Sequence, residues 1–281
     1  MSSPSPSEAP GERIAFIGGG NMARSLIGGL VRAGSDPADI RVAEPEAGAR
    51  QALEREFGII TSENTQKIVE DAGIWVFAVK PQVIRQVCWG LASVAQAMRP
   101  LLVSIAAGIT SGQIDRWCGG GLPVVRTMPN TPALLGEGVT GLFANAAVDA
   151  TGRGRAERIL RSAGATVWIG DEALMDAVTA TSGSGPAYVF LLAEAMEQAA
   201  IAQGLPADAA RTLTRQTLLG AARMLTGSDE APAELRRRVT SPGGTTQAAI
   251  ETFEAGGFRD LVAAAITAAT RRGGELSAAN D

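Results

Sequence analysis

The sequence predicts two domains, an α/β domain with a doubly wound, mostly parallel sheet followed by an all-α domain. Short β-branched segments alternate with longer helical patterns between Arg13 and Gly170, which is typical of βαβ units. After Asp171 the strand patterns stop, and the rest of the chain is Ala-rich and helical. We therefore expect domains over residues 13–171 and 172–281. The alternative is a helical protein with short apolar segments.

Six segments of the first domain have the β-branched, apolar composition of strands. They are Arg13–Ile17, Ile40–Ala43, Ile74–Val79, Leu101–Ile105, Val124–Thr127 and Thr166–Gly170. Helical patterns over Asn21–Arg32 and Ala47–Glu56 follow the first two strands. This alternation predicts a mostly parallel sheet.

The second domain consists of helical patterns alone. They cover Glu172–Gln203 (interrupted at Ser182–Ala187), Pro206–Leu225, Pro232–Val239, Thr245–Ala255 and Phe258–Arg272. Alanine and leucine occur on more than one face of these helices, so we expect part of their surface to be buried against another subunit. A compact monomeric bundle is the alternative.

Composition excludes several classes of protein. With 46% hydrophobic and 19% charged residues the sequence is that of an ordinary globular protein, and a net charge of −4 without a basic patch argues against nucleic-acid binding. Residues 1–12 are Ser/Pro-rich and are predicted to form a disordered tail, not a signal peptide. No stretch approaches the about 18 apolar residues of a membrane helix. The only cysteines, Cys88 and Cys118, fit a reducing compartment, so we expect a cytoplasmic protein.

Two further absences restrict the chemistry. The chain contains no histidine, which excludes His-dependent triads, His general acids and most zinc sites, and we expect no metal. Its only lysines are Lys67 and Lys80, so no mechanism can depend on a lysine in the C-terminal half.

A glycine-rich motif follows the first predicted strand. In FIGGGNMA, Gly18, Gly20 and Ala23 form a G-x-G-x-x-A pattern directly between a strand and a helix. The glycines permit a tight turn and the close approach of a pyrophosphate, and the small third residue lets helix and strand pack closely. The first domain is therefore predicted to be a Rossmann domain that binds a dinucleotide. A glycine-rich turn without a ligand is the alternative.

Glu44 ends the second strand, about where an acidic residue hydrogen-bonds the adenosine ribose 2′-hydroxyl. A carboxylate there favours NADH and repels the 2′-phosphate of NADPH. Arg41 and Arg50 flank it and could soften that preference. A solvated loop glutamate is an equally good interpretation, so the choice between NADPH and NADH stays open.

A second glycine-containing motif begins a late helix. In TSPGGTTQAAI, Pro242, Gly243 and Gly244 prevent a helix up to that point, and Thr245 begins one. This helix start has no bulky side chain and several unpaired backbone N–H groups, which favour an anion. A plain structural helix cap is the alternative.

Four more segments, together with the SPGGTT part of this second motif, extend the pattern. They are AVKPQ (Ala78–Gln82), SIAAGIT (Ser104–Thr110), RTMPNTPALLGEG (Arg126–Gly138), SGSGPAYVF (Ser182–Phe190) and SPGGTT (Ser241–Thr246). With the first glycine motif, this set resembles the pyrroline-5-carboxylate reductase family, which reduces 1-pyrroline-5-carboxylate to L-proline with NADPH or NADH. The resemblance implies a Rossmann domain and a helical dimerisation and substrate-binding domain. It also implies homodimers, often assembled into decamers, whose active sites draw on two subunits.

The resemblance further implies the site residues. Those expected to contact the cofactor are Gly18, Gly20, Asn21, Met22, Ala23, Asn64, Ala78, Val79, Lys80, Pro81, Ala106, Ala107 and Gly108, with Glu44 added at the ribose. Those expected to bind the substrate are Ser241, Gly243, Gly244, Thr245 and Thr246. Backbone N–H groups around Gly244–Thr246 would hold its carboxylate, with Thr246, the expected catalytic residue, near its ring nitrogen. Several relatives have Ser or Thr where this chain has Glu44, which puts the usual NADPH preference in doubt.

Four other features are candidates for the site. Lys80, at a strand end, either touches the cofactor or is simply solvated. Pro129 and Pro132 are expected to shape the site rather than to act in catalysis. The break at Ser184–Pro186 is either a helix kink or part of the substrate pocket. Asp229, just before a late helix, is expected to approach the substrate from a neighbouring subunit.

The implied reaction does not require a histidine. Hydride moves from nicotinamide C4 to the imine carbon, and a protonated iminium is already a good acceptor, so the protein chiefly has to bind and orient the ring. The Thr246 hydroxyl can accept from the iminium N–H or donate to the product amine. β-Hydroxyacid dehydrogenases share the two-domain outline but rely on a lysine in the helical half, which this chain lacks. A non-catalytic dinucleotide-binding regulator is the other alternative, and the intact SPGGTT segment argues against it.

Overall fold

An eight-stranded sheet organises the N-terminal part of the chain in the computed structural model, which describes residues 12–279. Its strands are β1 (Ile14–Ile17), β2 (Ile40–Ala43), β3 (Ile60–Ser62), β4 (Ile74–Phe77), β5 (Leu101–Ser104), β6 (Val124–Met128), β7 (Gly138–Ala144) and β8 (Gly164–Trp168). They lie in the order β3-β2-β1-β4-β5-β6-β7-β8. Strands β1 to β6 are parallel, and β7 and β8 run in the opposite direction. This order is that of a doubly wound Rossmann sheet with an added pair, so the predicted fold class is confirmed.

Alternate residues of the central strands supply two cores, one on each face of the sheet. On β1, Ile14 and Phe16 belong to one cluster, and Ala15 and Ile17 belong to the other. Six helices flank the strands: α1 (Asn21–Arg32), α2 (Ala47–Phe57), α3 (Thr65–Val69), α4 (Pro81–Met98), α5 (Ser111–Trp117) and α6 (Ala150–Arg161). The first cluster includes residues of α1, α2 and α6, and the second includes residues of α3, α4 and α5. Burial on both faces explains why the central strands are apolar throughout.

The strand predictions were nearly right in position, with two omissions. The predicted strand at Ile74–Val79 ends at Phe77, and the one at Thr166–Gly170 is displaced to Gly164–Trp168. Strands β3 and β7 were not predicted. The tail predicted over residues 1–12 lies outside the described residues except for Glu12, which forms an ion pair with Arg155.

The long helix predicted over Glu172–Gln203 consists of four shorter elements. A 3-10 turn (Glu172–Leu174) leads into α7 (Met175–Val178), a π-helical turn (Thr179–Gly183) and then α8 (Gly185–Ala202). Pro186 lies in the first turn of α8, where its missing N–H costs no intrahelical bond. The interruption predicted at Ser182–Ala187 is therefore a change of helix type followed by a new helix start.

The remaining helices are α9 (Ala207–Thr226), α10 (Pro232–Arg238), α11 (Thr245–Ala255) and α12 (Phe258–Ala279). The chain forms two compact units, one running to Gly183 and including the residues from Ala269, and the other being Ser184–Ala268. The second unit exposes many large apolar side chains: Phe190 and Leu261 are 69% and 70% exposed, and no residue of α8 is buried. An isolated soluble chain rarely leaves so much apolar surface uncovered.

Candidate active site

The carboxyl ends of five parallel strands meet at one edge of the sheet. Ile17 is in register with Ala43 and Phe77, Ala43 with Ser62, and Phe77 with Ser104. The residues that follow these strands therefore lie in one row. They are the predicted cofactor residues Gly18–Ala23, Glu44, Asn64, Ala78–Pro81 and Ala106–Gly108. Ligands of open α/β sheets bind at this edge, so the structure brings the predicted cofactor segments together where such a site belongs.

The turn after β1 has the geometry that the glycine motif predicts. Gly18 has φ of +102°, and a Cβ placed on it would lie 2.6 Å from the carbonyl oxygen of Ala78. Only glycine fits this position without strain or a clash. Gly20, by contrast, has nothing within 4 Å of where its Cβ would lie, and it is the N-cap of α1 with no side-chain cap. The start of the helix therefore has open space beside Gly20 and no side chain capping its backbone N–H groups, an arrangement suited to a pyrophosphate.

Glu44 is fixed beside this turn by two backbone hydrogen bonds. Its Oε2 accepts from the Gly19 N–H at 2.9 Å, and its Oε1 accepts from the Glu46 N–H at 3.0 Å. Arg50 donates to the carbonyl oxygens of Glu44 and Pro45, both at 2.8 Å. The glutamate is thus a positioned carboxylate rather than a freely solvated loop residue.

The other three cofactor segments of the edge have different surroundings. Asn64 is exposed and caps α3, its Oδ1 accepting from the Lys67 N–H at 3.2 Å. Lys80 is exposed and is the N-cap of α4, whose first turn contains Pro81. Ala106 is buried, and its N–H donates to Ser104 Oγ at 3.2 Å. Asn64 therefore has a structural role as a cap in addition to its predicted contact with a cofactor.

The predicted substrate residues lie in the other unit, at the start of α11. Gly243 has φ of +71°, and Gly244 is the N-cap of α11 with no side-chain cap. The Gly244 N–H donates to the Ser241 carbonyl at 3.0 Å, and the Gly243 N–H donates to Gln247 Oε1 at 2.7 Å. Those two N–H groups are therefore used within the turn, which leaves the N–H groups of Thr245 and Thr246 as the better candidates for an anion.

Asp229 is exposed in the connection between α9 and α10. Its neighbour Glu230 pairs with Arg238 at 2.7 Å, so the connection is tied to the end of α10.

The two threonines at the start of α11 differ in exposure. Thr246 is half-buried and Thr245 is exposed, consistent with different roles for their side chains.

Sequence reasoning missed a buried amide in the MPNTP segment. Asn130 is 8% exposed; its Nδ2 donates to the Ser182 carbonyl at 3.1 Å, and its Oδ1 accepts from the Val139 N–H at 2.9 Å. It joins the corner after β6 to the π-helical turn before α8. Asn130 therefore holds by hydrogen bonds the same corner that Pro129 and Pro132 are predicted to shape.

Within residues 12–279, His, Cys, Asp and Glu side chains form no group of three that could hold a metal ion. A hydrogen bond with Cys118 and burial raise the pKa of the Cys88 thiol, so this thiol stays protonated. None of the helices described is long and apolar enough to cross a membrane.

The fold and the glycine turn define the class of protein: a Rossmann-type, dinucleotide-binding protein with a helical second domain. Two family models match the chain, "NADP oxidoreductase coenzyme F420-dependent" over residues 13–108 and "Pyrroline-5-carboxylate reductase dimerisation" over residues 172–276.

Similar proteins with curated names are pyrroline-5-carboxylate reductases. The pyrroline-5-carboxylate reductase of Pseudomonas aeruginosa is 52% identical over 94% of this chain and 97% of its own length, and that of Pisum sativum is 38% identical over 94% and 96%. A solved structure of the reductase from Coxiella burnetii has a TM-score of 0.92 and 42% identity, covering 95% of this chain and 98% of that one. The Plasmodium falciparum enzyme with NADP bound has a TM-score of 0.82 and 28% identity, with the same coverage. This chain belongs to the pyrroline-5-carboxylate reductase family.

Proposed function

We propose that the chain reduces 1-pyrroline-5-carboxylate to L-proline, the last step of proline biosynthesis, with NADPH or NADH as the hydride donor. The observation that carries this is the glycine turn at the carboxyl edge of the sheet, where Gly18 has a conformation and a close contact that only glycine tolerates and Gly20 leaves open space at the start of α1. In addition, the chain is 52% identical to a pyrroline-5-carboxylate reductase over 94% of its length. Membership of the family also excludes the β-hydroxyacid dehydrogenase alternative.

The residues of the sheet edge fit a dinucleotide. The N–H groups at the start of α1, around Gly20–Ala23, would hold the pyrophosphate, and Glu44 would accept a hydrogen bond from the adenosine ribose. Asn64, Ala78–Pro81 and Ala106–Gly108 would line the rest of the cofactor. When bound, the reduced nicotinamide supplies the hydride.

The SPGGTT segment would hold the substrate. The N–H groups of Thr245 and Thr246 bind the carboxylate at the start of α11, and Ser241, Gly243 and Gly244 shape the turn around it. The Thr246 hydroxyl accepts a hydrogen bond from the iminium N–H and so keeps the ring protonated and oriented. Addition of hydride to the iminium carbon gives a neutral secondary amine, so no general acid is needed, in agreement with a chain that contains no histidine.

The protein would work as a homodimer joined through its second domain. The exposed apolar surface of Ser184–Ala268 and the match to a dimerisation model over residues 172–276 support self-association. We propose a cytoplasmic enzyme that binds neither nucleic acid nor membrane, with Asp229 reaching the substrate of a neighbouring subunit. Sedimentation analysis of the purified protein distinguishes a dimer from a decamer.

Oxidation of NADPH or NADH by the purified protein, with and without 1-pyrroline-5-carboxylate, tests the proposal. Imine-dependent oxidation supports it. Cofactor binding without turnover in folded protein would instead favour the non-catalytic regulator.

A further inference from the structure

A cluster of partly and fully buried charges lies beside the predicted cofactor segment Ala106–Gly108, and the proposed reaction does not use it. The side chain of Arg126, on β6, is 5% exposed. Its guanidinium lies 3.2 Å from Asp176 Oδ1 and 3.5 Å from Glu172 Oε1. A buried cation needs such partners because an unpaired charge is strongly unfavourable in the interior. The cluster therefore fixes the two carboxylates relative to the sheet.

Glu172 also bonds to the start of α5. Its Oε1 accepts from the Ser111 N–H at 2.6 Å, and its Oε2 accepts from the Ser111 hydroxyl at 2.7 Å. Ser111 is 3% exposed and is the first residue after the loop over residues 105–110, which contains Ala106–Gly108. The carboxylate thus holds the end of that loop.

The beginning of the same loop is held by β5 and β6. The Thr127 hydroxyl donates to the Ser104 carbonyl at 2.9 Å, and the Ala106 N–H donates to Ser104 Oγ at 3.2 Å. Thr127 is the residue after Arg126, so the strand that carries the buried cation also holds the loop at its start.

The last turns of α12 pack against the middle of the loop, within the same compact unit. A Cβ placed on Gly108 would lie 3.6 Å from Leu276 Cβ, and Gln113 Nε2 donates to the Ser277 carbonyl at 3.3 Å. One turn earlier, a Cβ placed on Gly273 would lie 3.2 Å from Asp176 Cβ. The helix end therefore touches both the loop and one carboxylate of the cluster.

We propose that Glu172 is a positioning residue for the cofactor: paired with Arg126, it holds the loop over residues 105–110 in the conformation that binds the dinucleotide. Asp176 supports it by sharing the same guanidinium and by packing against α12. This inference rests on the proposed function, because it takes Ala106–Gly108 as part of the cofactor site.

The test compares Glu172→Ala with Glu157→Ala. Glu157 has 28% side-chain exposure against 24% for Glu172, and it accepts two hydrogen bonds in the same unit, from Trp168 and Thr166. These bonds hold the pKa of the Glu157 carboxyl below its usual range. Glu157→Ala therefore removes two side-chain hydrogen bonds, as Glu172→Ala does, but at a place away from the loop. Titration of each variant with NADH and with NADPH, followed by fluorescence, gives the Kd, and a thermal melt gives the Tm.

We expect Glu172→Ala to raise the cofactor Kd by about tenfold and to raise the cofactor KM likewise, with kcat at saturating cofactor almost unchanged. Glu157→Ala should lower Tm without changing Kd. Glu172→Gln should recover most of the affinity, since its amide can accept from the Ser111 N–H and donate to the Ser111 hydroxyl.

A lowered Tm with an unchanged Kd in Glu172→Ala would overturn the positioning role while leaving the proposed function intact. A wild-type protein that binds neither cofactor would overturn both. If Glu172→Ala does not fold, Ser111→Ala, which removes one of the two bonds, takes its place, and an unchanged Kd in that variant overturns the inference.

Discussion

The Glu44 carboxylate accepts a hydrogen bond from the Gly19 backbone N–H at 2.9 Å. This bond joins the end of β2 to the glycine turn after β1, and the Glu46 N–H fixes the second carboxylate oxygen at 3.0 Å. Arg50, the nearby cation, donates to the carbonyl oxygens of Glu44 and Pro45. A positioned carboxylate therefore lies beside the glycine turn, where we propose that the adenosine ribose binds, and Arg50 also lies 3.8 Å from the carboxylate of Glu63.

We predict that Glu44 makes the enzyme prefer NADH. Glu44→Ser removes the charge that repels a 2′-phosphate, so the ratio of kcat/KM for NADPH to that for NADH should rise by about tenfold or more, equivalent to ~1.4 kcal/mol. Glu46→Ser, an exposed carboxylate two residues away, is the matched control and should leave the ratio near its wild-type value. Equal ratios in wild type and Glu44→Ser would mean that Glu44 does not read the 2′ position.

The two glycines of the turn should respond differently to alanine. Gly18→Ala forces φ of +102° on a residue with a Cβ and places that Cβ 2.6 Å from the Ala78 carbonyl oxygen, so the free energy of unfolding should fall by about 1–3 kcal/mol or more. Gly20→Ala meets nothing within 4 Å. It should fold with a nearly unchanged Tm but bind the cofactor more weakly, because its methyl group occupies the space for the pyrophosphate. Tight cofactor binding by Gly20→Ala would contradict this placement.

Thr246→Ala should slow turnover by roughly 10²-fold, the loss typical of a positioned hydrogen-bonding group in an active site. The matched control is Thr252→Ala on the same helix, whose hydroxyl donates to the Ala248 carbonyl at 2.9 Å. Steady-state kinetics should show wild-type kcat/KM in the control and a reduced value in Thr246→Ala, with similar Tm in both. Unchanged kinetics in Thr246→Ala would remove this hydroxyl from the mechanism.

Self-association should depend on the apolar surface of the second unit. Leu261 is 70% exposed there, while Leu135 is 83% exposed in the first unit. Leu261→Glu should weaken the dimer, because a buried unpaired carboxylate is costly at an interface, and Leu135→Glu should not. Sedimentation velocity over a range of protein concentrations gives the comparison. A Leu261→Glu protein that sediments as the wild type would place the interface elsewhere.

Periodicity and glycine chemistry predict most of the fold, and the omissions have local causes. β7 (Gly138–Ala144) contains Gly138 and Gly141, which weaken the strand pattern, although five of its seven residues are buried by packing that only the folded sheet creates. β3 is three residues long, too short for a period to show. In both cases tertiary contacts, not local preference, decide the conformation.

Some residues of the candidate site could likewise be predicted from the sequence, and others could not. The glycine turn and Glu44 could be found because each follows a predicted strand, and parallel strands end at one edge. Two contacts of the structure join residues that are far apart in the sequence. Asn130 and Ser182 are separated by 52 positions, and Arg126 and Glu172 by 46. No spacing rule connects such pairs, so the buried amide of Asn130 and the ion pair of the buried Arg126 emerge only from the structure.

The most direct test of the proposed reductase activity is the rate at which the purified protein oxidises NADH and NADPH in the presence of 1-pyrroline-5-carboxylate. We expect rapid oxidation that requires the imine, yields proline, and is faster with NADH. Folded protein that binds a dinucleotide but shows no imine-dependent oxidation with either cofactor would contradict it.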